Sequence, residues 1–335
     1  MEGPPQIKDF PVITVAMPTY NSARTLQSCL DAVSEFNYPR EMVRIVFVDN
    51  NSTDDTQRIL KDFRRRFKND YENIIVISEK SNIPEARNLC IEKSAGEYIL
   101  FIDSDVVPPP ETIERMLKTF ASYSKVCIVG FPYRSDRMTL AEKMYFSKQK
   151  KAPHFVTSVK MGCTMIKRKL FNEIGFFEPE FYVDEDAELT IRARQAGYAA
   201  ILDSTVTSRH LLDEKRHGTL REVMGYCAWS YGPSAKYHSM ILRRYKPEWM
   251  VNRIIFYLAM AVSIPVAVAG VILSNPFLVL PTVACYSLAF AYHFPKASGR
   301  WRIFNSILYP LFGMSLAIGI VKETLKQSRL SQLLS

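Results

Sequence analysis

Short runs of apolar, often β-branched residues alternate with longer amphipathic stretches through the first hundred residues of the chain. The short runs predict buried strands, and the longer stretches predict helices. Such an alternation indicates an α/β domain with a mostly parallel sheet. The expected strands are Val12–Met17, Arg44–Val48, Ile74–Ser78 and Tyr98–Ile102, and the expected helices are Ser22–Phe36, Thr53–Phe67 and Ile83–Ser94.

The same kinds of element continue, less regularly, after the three prolines at positions 108–110. A helix is expected at Glu111–Tyr123 and a strand at Val126–Gly130. Beyond them the pattern predicts an edge strand at Gly162–Arg168, a loop from Phe181 into a helix that ends at Gly197, and a short strand at Val206–Arg209 that stops at His210.

Three apolar stretches occupy the last third of the chain, at residues 254–273, 277–294 and 303–321. About 20 apolar residues in a helix cross a hydrocarbon core of about 30 Å. The first two stretches therefore predict transmembrane helices, with buried core helices as the alternative. The third contains Asn305, Ser306 and Pro310, and it either crosses the membrane or lies along its inner interface.

Basic residues flank the first two apolar stretches, and the turn between these stretches has none. By the positive-inside tendency, both flanks are expected on the cytoplasmic side. The N-terminus has no apolar run that would act as a secretory signal, so the front domain is expected in the cytoplasm of a multi-pass protein of the cell membrane. The flanking cations are Arg243, Arg244, Lys246 and Arg253 before the first stretch, and Lys296, Arg300 and Arg302 after the second.

The net charge of +9 is compatible with nucleic acid, a membrane surface or an anionic substrate as partner. No Lys/Arg-rich arm interleaved with aromatic residues is present, so we expect the last two partners and no nucleic acid. The six cysteines form no C-x-x-C pair, which is typical of reduced thiols in a cytosolic compartment.

Polar signatures follow three of the predicted strands: Pro18-Thr19-Tyr20-Asn21, then Asp49-Asn50-Asn51-Ser52-Thr53, then Asp103-Ser104-Asp105. Ligands of an open parallel sheet bind where its strands end. Gly3 is the only glycine before Gly96, so neither a P-loop nor a G-x-G-x-x-G cradle exists here to bind phosphate. Two aspartates one residue apart suit Mg²⁺ or Mn²⁺, although they also suit a turn before the prolines.

These motifs, with the later Val183-Asp184-Glu185-Asp186-Ala187-Glu188-Leu189, resemble the inverting family 2 glycosyltransferases of the GT-A fold over roughly residues 10–215. The resemblance implies a tail at 1–10, a GT-A domain at 11–240, an interfacial segment at 241–253, the apolar helices and a tail at 322–335. It also implies a nucleotide-diphosphate sugar as donor, with a UDP-sugar the commonest in the family, and Mn²⁺ or Mg²⁺ as cofactor.

Site residues follow from the resemblance position by position. Residues of the first two strand ends would bind the base and ribose of the donor. The third would bind ribose and metal, with Asp105 as the direct ligand and a contribution from His210. Arg87 would lie near the diphosphate, although its segment lacks the family's usual glycine, and Arg216 would neutralise the leaving nucleotide. The residues implied in donor and metal binding are Pro18, Thr19, Tyr20, Asp49, Arg87, Asp103, Asp105, His210 and Arg216.

Transfer of a sugar to a hydroxyl requires a base, because the alcohol loses its proton as it attacks. The family's acidic pair matches Glu185-Asp186, with Asp186 as the base. The alternative interpretation is an ordinary helix N-terminus enriched in acids. An acceptor phosphate needs no base, so the acidic pair favours the hydroxyl of a lipid-linked saccharide over a polyprenyl phosphate.

Two other functions compete with this hypothesis. A nucleotidyltransferase would carry a glycine- and lysine-bearing loop after the first strand, and Pro18-Thr19-Tyr20-Asn21 does not supply one. A non-catalytic membrane scaffold would tolerate decay of the four aspartates Asp49, Asp103, Asp105 and Asp186, which are intact. The family's Gln-x-x-Arg-Trp pattern of processive polymerases is not present, so transfer of a single sugar is expected.

Overall fold

The computed structural model describes residues 10–136, 138, 140–147, 151–211, 219–293 and 301–333. The chain divides into two compact units. The first unit comprises residues 1–137 and 150–213, and the second comprises residues 138–149 and 214–335.

Strands and helices alternate at the start of the first unit, as the apolar pattern predicts. The order of all seven elements agrees with expectation, and the fourth strand ends directly before the paired aspartates. They are β1 (Ile13–Thr19), α1 (Leu26–Ser34), β2 (Val43–Asp49), α2 (Thr56–Phe67), β3 (Asn73–Ser78), α3 (Ile83–Glu92) and β4 (Tyr98–Ile102).

Within the described residues, eleven further elements follow, and one of them, α5, belongs to the second unit. They are β5 (Val106–Val107), α4 (Thr112–Ser122), β6 (Val126–Gly130), β7 (Tyr133–Ser135), α5 (Leu140–Phe146), β8 (Pro153–Val156), β9 (Cys163–Lys167), α6 (Lys169–Ile174), α7 (Glu185–Gln195), β10 (Ala199–Asp203) and β11 (Ser208–His210).

Eight strands form the main sheet, in the order β3-β2-β1-β4-β9-β6-β10-β8. Six of them run parallel to one another, and β9 and β8 run antiparallel to their neighbours. The prediction of a mostly parallel α/β sheet is therefore confirmed. Because β1, β2, β4 and β6 share one direction, their carboxyl ends lie at the same edge.

The prediction of an edge strand at Gly162–Arg168 is wrong. The strand β9 lies inside the sheet, between β4 and β6 and antiparallel to both. Four of its five residues, from Cys163 to Ile166, have no exposed surface. A strand that is buried on both faces has apolar residues at successive positions. A run as short as Cys163–Ile166, which includes one threonine, does not distinguish a strand inside the sheet from one at its edge.

Both faces of the main sheet are covered by apolar side chains. Along β1, Ile13, Val15 and Met17 pack on one face with residues of α1, α2 and α4, whereas Ala16 packs on the other with residues of α3, α6 and α7. The alternation follows from the two-residue period of a strand. The sheet is thus a rigid platform, and the polar residues that end its strands are held on one rim.

A second, three-stranded sheet has the order β5-β11-β7. The strand β5 begins directly after Asp105, and β11 pairs antiparallel with it and parallel with β7. This small sheet brings residues 208–210 and 133–135 to the paired aspartates.

The second unit is helical and includes a π-helical turn at Ser230–Ser234. Its helices after α5 are α8 (Thr219–Trp229), α9 (Ala235–Tyr245), α10 (Glu248–Ile272), α11 (Leu280–His293) and α12 (Trp301–Leu333). Two segments of its described residues are long and apolar enough to cross a membrane, Met250–Ala269 and Ser306–Lys326.

These helices differ from the expected spans in one respect. The expected span at 277–294 corresponds to α11, of which the structure describes the 14 residues Leu280–His293, and a 3₁₀ turn occupies Pro276–Leu278 before it. The stretch at 303–321, whose course the sequence left open, lies in the 33-residue α12. Pro310 lies inside α12 without ending it, and Pro265 does the same in α10.

Candidate active site

The paired aspartates and His210 lie together because β5 and β11 are paired. His210 stands opposite Val106, the residue after Asp105, and the backbone N–H of Leu211 donates to the carbonyl oxygen of Asp105 at 2.8 Å. The two side chains face each other, with Nε2 of His210 at 3.4 Å from Oδ2 of Asp105. The structure therefore brings together two of the three residues expected to bind a metal.

The spacing of these two atoms fits a shared cation. Ligands at 2.0–2.1 Å from Mg²⁺ in octahedral geometry stand about 3 Å apart when they are adjacent. Within the described residues, no three His, Cys, Asp or Glu side chains are grouped to bind a metal. Two protein donors are nevertheless sufficient for a cation that takes its other ligands from water and substrate phosphates.

The turn that carries the paired aspartates is held by its backbone and by Ser104. The carbonyl oxygen of Asp103 accepts from the N–H of Val106 at 3.0 Å, and Thr25 Oγ1 donates to the carbonyl oxygen of Ser104 at 2.8 Å. Ser22 and Ser104 share a hydroxyl–hydroxyl bond of 2.7 Å. None of these bonds uses the carboxylates, so turn formation does not account for the two aspartates.

Arg87, on α3, joins the paired aspartates to the later acidic run. Its Nη2 donates to Oδ1 of Asp103 at 3.1 Å, and its Nη1 contacts Oε1 of Glu185. The side chain is only 4% exposed, and its guanidinium lies 5.7 Å from the centre of the Phe177 ring. Burial opposes its charge, but Asp103 and Glu185 outweigh burial and raise the pKa of Arg87.

The helix α3 also anchors the segment that leads to α7. Asn88 Nδ2 donates to the carbonyl oxygen of Phe177 at 2.8 Å, and the N–H of Phe177 donates back to Asn88 Oδ1 at 2.9 Å. Asn82 Nδ2 donates to the carbonyl oxygen of Pro179 at 3.1 Å. Residues 177–185 are thus attached to α3 near both ends of this stretch.

The glycine that the α3 segment lacks is not needed here. Asn82 has φ −81° and ψ 178°, an extended conformation open to any residue. Its side chain accepts from the N–H of Glu85, and the Glu85 carboxylate accepts from the N–H of Asn82. This capping box starts the helix and fixes the direction in which Arg87 points.

Asp186 lies in the first turn of α7, after Asp184 in the left-handed region at φ 62°. Burial, followed by the negative charges of Glu185 and Asp184, raises the pKa of Asp186 to about 7, against the lowering effect of Arg87. The N–H of Ala187 donates to its Oδ1 at 2.6 Å. A carboxyl group that titrates near neutral pH can take up a proton during a reaction.

Glu188, the third acid of this turn, has a different role. It has no exposed surface, and both its oxygens accept from Arg192, at 2.6 Å from Nε and 2.8 Å from Nη2. Arg192 in turn donates to the carbonyl oxygens of Ile174 and Phe176. Glu188 therefore has a structural role in its ion pair with Arg192, whereas Glu185 and Asp186 face Arg87.

A cleft of about 430 Å³ lies at the rim of the main sheet beside these groups. Tyr20 stands at its mouth with 60% of its surface exposed. The residues lining the cleft are Pro18, Thr19, Tyr20, Asn50, Ser81, Asn82, Ile83, Ala86, Arg87, Asp103, Ser104, Asp105 and Tyr182.

Asp49 lies behind this lining and has no exposed surface. Its Oδ2 accepts from the N–H of Ser52 at 3.0 Å, and its Oδ1 accepts from Thr19 Oγ1 at 3.2 Å. Asn50, the next residue, reaches the cleft instead. Arg216 lies outside the described residues.

Tyr133 is a site residue that the sequence reasoning missed. Its ring packs edge-on against His210, with 5.0 Å between ring centres, and Gly162 leaves the space for it, since a Cβ there would stand 2.6 Å from Cε1. Burial and the charges of Asp103, Asp186 and Asp105 raise the pKa of Tyr133, so its phenol stays neutral. The sequence could have pointed to Tyr133, because this residue follows the predicted strand β6, and β6 ends at the same rim of the sheet as β4.

A mostly parallel sheet covered on both faces, with an antiparallel β9 inserted beside β4, defines the GT-A fold of sugar-nucleotide-dependent transferases. Residues 98–294 match the family described as "Glycosyl transferase family group 2", and residues 14–176 match "Glycosyl transferase family 2". The first match covers more than half of the chain. The chain belongs to the family 2 glycosyltransferases.

Relatives carry similar names. Glycosyltransferase AglE of Haloferax volcanii is 29% identical over 60% of this chain and 67% of its own length. Poly(ribitol-phosphate) beta-glucosyltransferase of Bacillus spizizenii is 40% identical over 28% of this chain but only 14% of its own length. The chain thus spans two thirds of one relative and a small part of the other.

Solved structures share the fold. Mannosyltransferase PcManGT of Pyrobaculum calidifontis, in complex with GDP-Man and Mn²⁺, has a TM-score of 0.60 at 20% identity, covering 93% of this chain and 88% of that chain. Residues 1–349 of TarS from S. aureus have a TM-score of 0.53 at 16% identity, covering 94% of this chain and 91% of that chain.

Proposed function

We propose that this glycosyltransferase moves a single sugar, with inversion, from a nucleotide-diphosphate sugar to a hydroxyl of a lipid-linked saccharide at the cytoplasmic face of the cell membrane. The observation that carries the proposal is Asp186, a carboxyl group with a pKa raised to about 7 that Glu185 and Arg87 join to the cleft-lining Asp103.

The reaction needs one proton acceptor and one stabilised leaving group. The acceptor hydroxyl oxygen attacks the anomeric carbon and forms the new glycosidic bond. The bond from that carbon to the β-phosphate oxygen breaks, and the nucleoside diphosphate leaves with the electron pair. The hydroxyl proton passes to the carboxylate of Asp186, which acts as general base.

The donor would occupy the cleft beside Thr19, Tyr20 and Asn50. Tyr20 offers an exposed aromatic face on which a nucleotide base can stack. Asp49 supports this wall from behind through Thr19 and Ser52. A UDP-sugar remains the first candidate, and the GDP-Man bound by the structural neighbour makes a GDP-sugar the second.

Asp105 and His210 would bind a divalent cation at the diphosphate, with Asp103 close by. An imidazole nitrogen beside a carboxylate oxygen makes Mn²⁺ a better match than Mg²⁺. The cation would neutralise negative charge on the leaving diphosphate, which no glycine-rich loop does here. Tyr133 packs on His210 and limits the positions of its ring.

The membrane assignment rests on composition and helix length. The α10 and α12 segments identified above are 20 and 21 residues long. Basic residues before the first segment, among them Arg243 and Arg244, would face anionic headgroups. A lipid-linked acceptor would then reach the enzyme within the plane of the membrane.

A polyprenyl phosphate acceptor is the second candidate, and a direct assay separates the two. The purified membrane protein is first screened by thermal shift against UDP-Glc, UDP-GlcNAc and GDP-Man with and without Mn²⁺, because a ligand of the folded state raises its midpoint. The stabilising donor, radiolabelled, is then offered to polyprenyl phosphate and to a polyprenyl-diphosphate disaccharide. Transfer to the saccharide alone supports the proposal, whereas transfer to the bare phosphate by both wild type and Asp186→Asn supports the alternative.

A further inference from the structure

The polar atoms of the Arg87 side chain are either engaged by carboxylates or buried, although the residue lines the cleft. Its Nη1 and Nη2 are engaged by Glu185 and Asp103, and its Nε is buried without a hydrogen-bond acceptor among the described residues. Its planar group lies over the ring of Phe177. A diphosphate at this guanidinium would compete with the two carboxylates that Arg87 already neutralises.

Its two partners belong to different parts of the site. Asp103 ends β4 and lines the cleft, whereas Glu185 begins α7 and precedes Asp186. The contact between Arg87 and Glu185 joins residues 98 positions apart in the chain. Hydrogen bonds from Asn82 and Asn88 on the same helix fix the intervening segment, so α3 connects the donor side of the cleft to the proposed base.

We propose that Arg87 is a positioning residue for the base, which holds Glu185 against the wall of the cleft and offsets the negative charge around Asp186, and that it does not bind the diphosphate. This inference rests on the proposed function. Arginine suits the task because its planar fork reaches two carboxylates at once, whereas lysine is a single point charge.

The charges that face Asp186 come from several elements. Glu185 and Asp184 at the start of α7 disfavour its ionised form, and Arg87 from α3 favours it. Tyr133 from β7 faces it as a neutral phenol. Removal of the positive charge alone would therefore make Asp186 harder to ionise, and simultaneous removal of the Glu185 charge would reverse the effect.

The test compares Arg87→Met, Arg87→Lys and the double variant Arg87→Met/Glu185→Gln in the full-length membrane protein. Binding is measured as the thermal shift with UDP and with GDP, each with Mn²⁺. Turnover is measured as release of UDP from UDP-Glc or UDP-GlcNAc, or of GDP from GDP-Man, in the presence of acceptor and across pH. Asp186→Asn is run alongside to test the proposed base separately.

We expect Arg87→Met to keep the nucleotide-dependent thermal shift while the acidic limb of its pH–turnover profile moves up by roughly one pH unit. In the double variant the limb should return toward that of the wild type, because the charge around Asp186 is again balanced. Arg87→Lys should move the limb by less. If Arg87 had only a structural role, removal of the Glu185 charge would not return the acidic limb of the profile toward that of the wild type.

Two results would overturn the inference. If Arg87→Met loses the nucleotide-dependent thermal shift and the acidic limb of its pH–turnover profile does not move, the arginine binds the nucleotide. If the limb moves in Arg87→Met but does not return toward the wild-type position in the double variant with Glu185→Gln, the arginine does not act through Glu185. If Arg87→Met does not fold, the same two criteria apply to Arg87→Lys with and without Glu185→Gln. Full turnover of Asp186→Asn would instead refute the proposed base.

Discussion

The two sides of the cleft are built differently. On the donor side, the loops after β1 and β2 are joined by many short hydrogen bonds, such as those from the N–H of Ser22 to Thr56 Oγ1 at 2.7 Å and from the N–H of Thr53 to Asn21 Oδ1 at 2.9 Å. On the base side, residues 177–185 contact Asn82, Arg87 and Asn88 through hydrogen bonds and ion pairs, and Phe177 packs against Phe101 and Phe171. The donor side is therefore held by a network of hydrogen bonds between loops, and the base side by a few long-range contacts to the α3 segment together with aromatic packing.

This difference has consequences for mutation. Loss of one bond among several parallel bonds shifts a loop little, because the remaining bonds restore its position. Loss of one long-range contact to the α3 segment should loosen the stretch that leads to the proposed base. We therefore expect small, binding-type effects on the donor side and larger effects on turnover on the base side, apart from the residues that contact the substrate directly.

The largest effect is expected for Asp186→Asn. The amide has nearly the same shape but cannot take up a proton, so turnover should fall at least about a hundredfold. Nucleotide-dependent thermal shifts should persist. Turnover assays and thermal shifts on the same preparation check this, with Asp70→Asn, an exposed aspartate in an ion pair with Arg40, as the matched control.

The same variant should also be more stable at alkaline pH. The folded-state pKa of Asp186 is raised, so its ionisation disfavours folding as pH rises from its unfolded value through about 7. A shift of about 3 pKa units at about 1.4 kcal/mol each sets an upper limit of roughly 4 kcal/mol on the stability that Asp186→Asn should gain at pH 8, a gain that should be absent near pH 4. Equal stability of the two proteins at pH 8 would contradict the raised pKa.

Asp105→Ala should produce the next largest effect. It removes the carboxylate that faces His210, and with it the Mn²⁺-dependent part of nucleotide binding. Titration calorimetry with UDP or GDP and Mn²⁺ should show no metal-dependent heat, whereas Asp31→Ala on the exposed face of α1 should behave as the wild type. Unchanged heat in Asp105→Ala would place the cation elsewhere.

The donor side is also the part that the sequence predicts well. Its strands and strand ends are local signals, and β4 and β6 begin and end at the residues that the apolar pattern predicts. The motif Asp103-Ser104-Asp105 needs only the end of one strand to be placed. Residues close in sequence carry enough information for such features.

The remainder depends on contacts between distant residues. The position of β9 between β4 and β6, the pairing of His210 with Val106 and the two partners of Arg87 are set by tertiary packing. No local pattern encodes which distant carboxylate a buried arginine contacts. Arg87 was expected near the diphosphate from its family position, and its contacts show a bridge between two acids.

The pH dependence of turnover gives a third test of the base side. Asp186 must be ionised to accept the proton, so turnover should rise with pH and level off above about 7. Below that pH it should fall about tenfold per unit, as expected for one essential group. A profile that is flat from pH 5 to 8 would show that no group with this pKa limits the reaction.

A moderate effect is expected for Asn88→Ala. The variant removes both hydrogen bonds to the backbone of Phe177 and should cost about 1–3 kcal/mol, because the polar groups of Phe177 lose their partner. Turnover should fall while nucleotide binding remains, since the loosened segment leads directly into Asp186. Asn172→Ala on the exposed face of α6 is the control. Weakened nucleotide binding with full turnover would contradict the assigned role of this anchor.

The smallest effect is expected for Thr53→Ala on the donor side. Its Oγ1 donates one bond within the described part of the chain, to Asn21 Oδ1 at 3.3 Å, while the backbone N–H of the same residue keeps its shorter bond to that oxygen. Stability should change by no more than about 0.5 kcal/mol. Chemical denaturation and donor saturation curves, measured beside those of Asn88→Ala, give the comparison directly. If Thr53→Ala damages the enzyme as much as Asn88→Ala does, the donor side lacks the redundancy that its hydrogen bonds indicate.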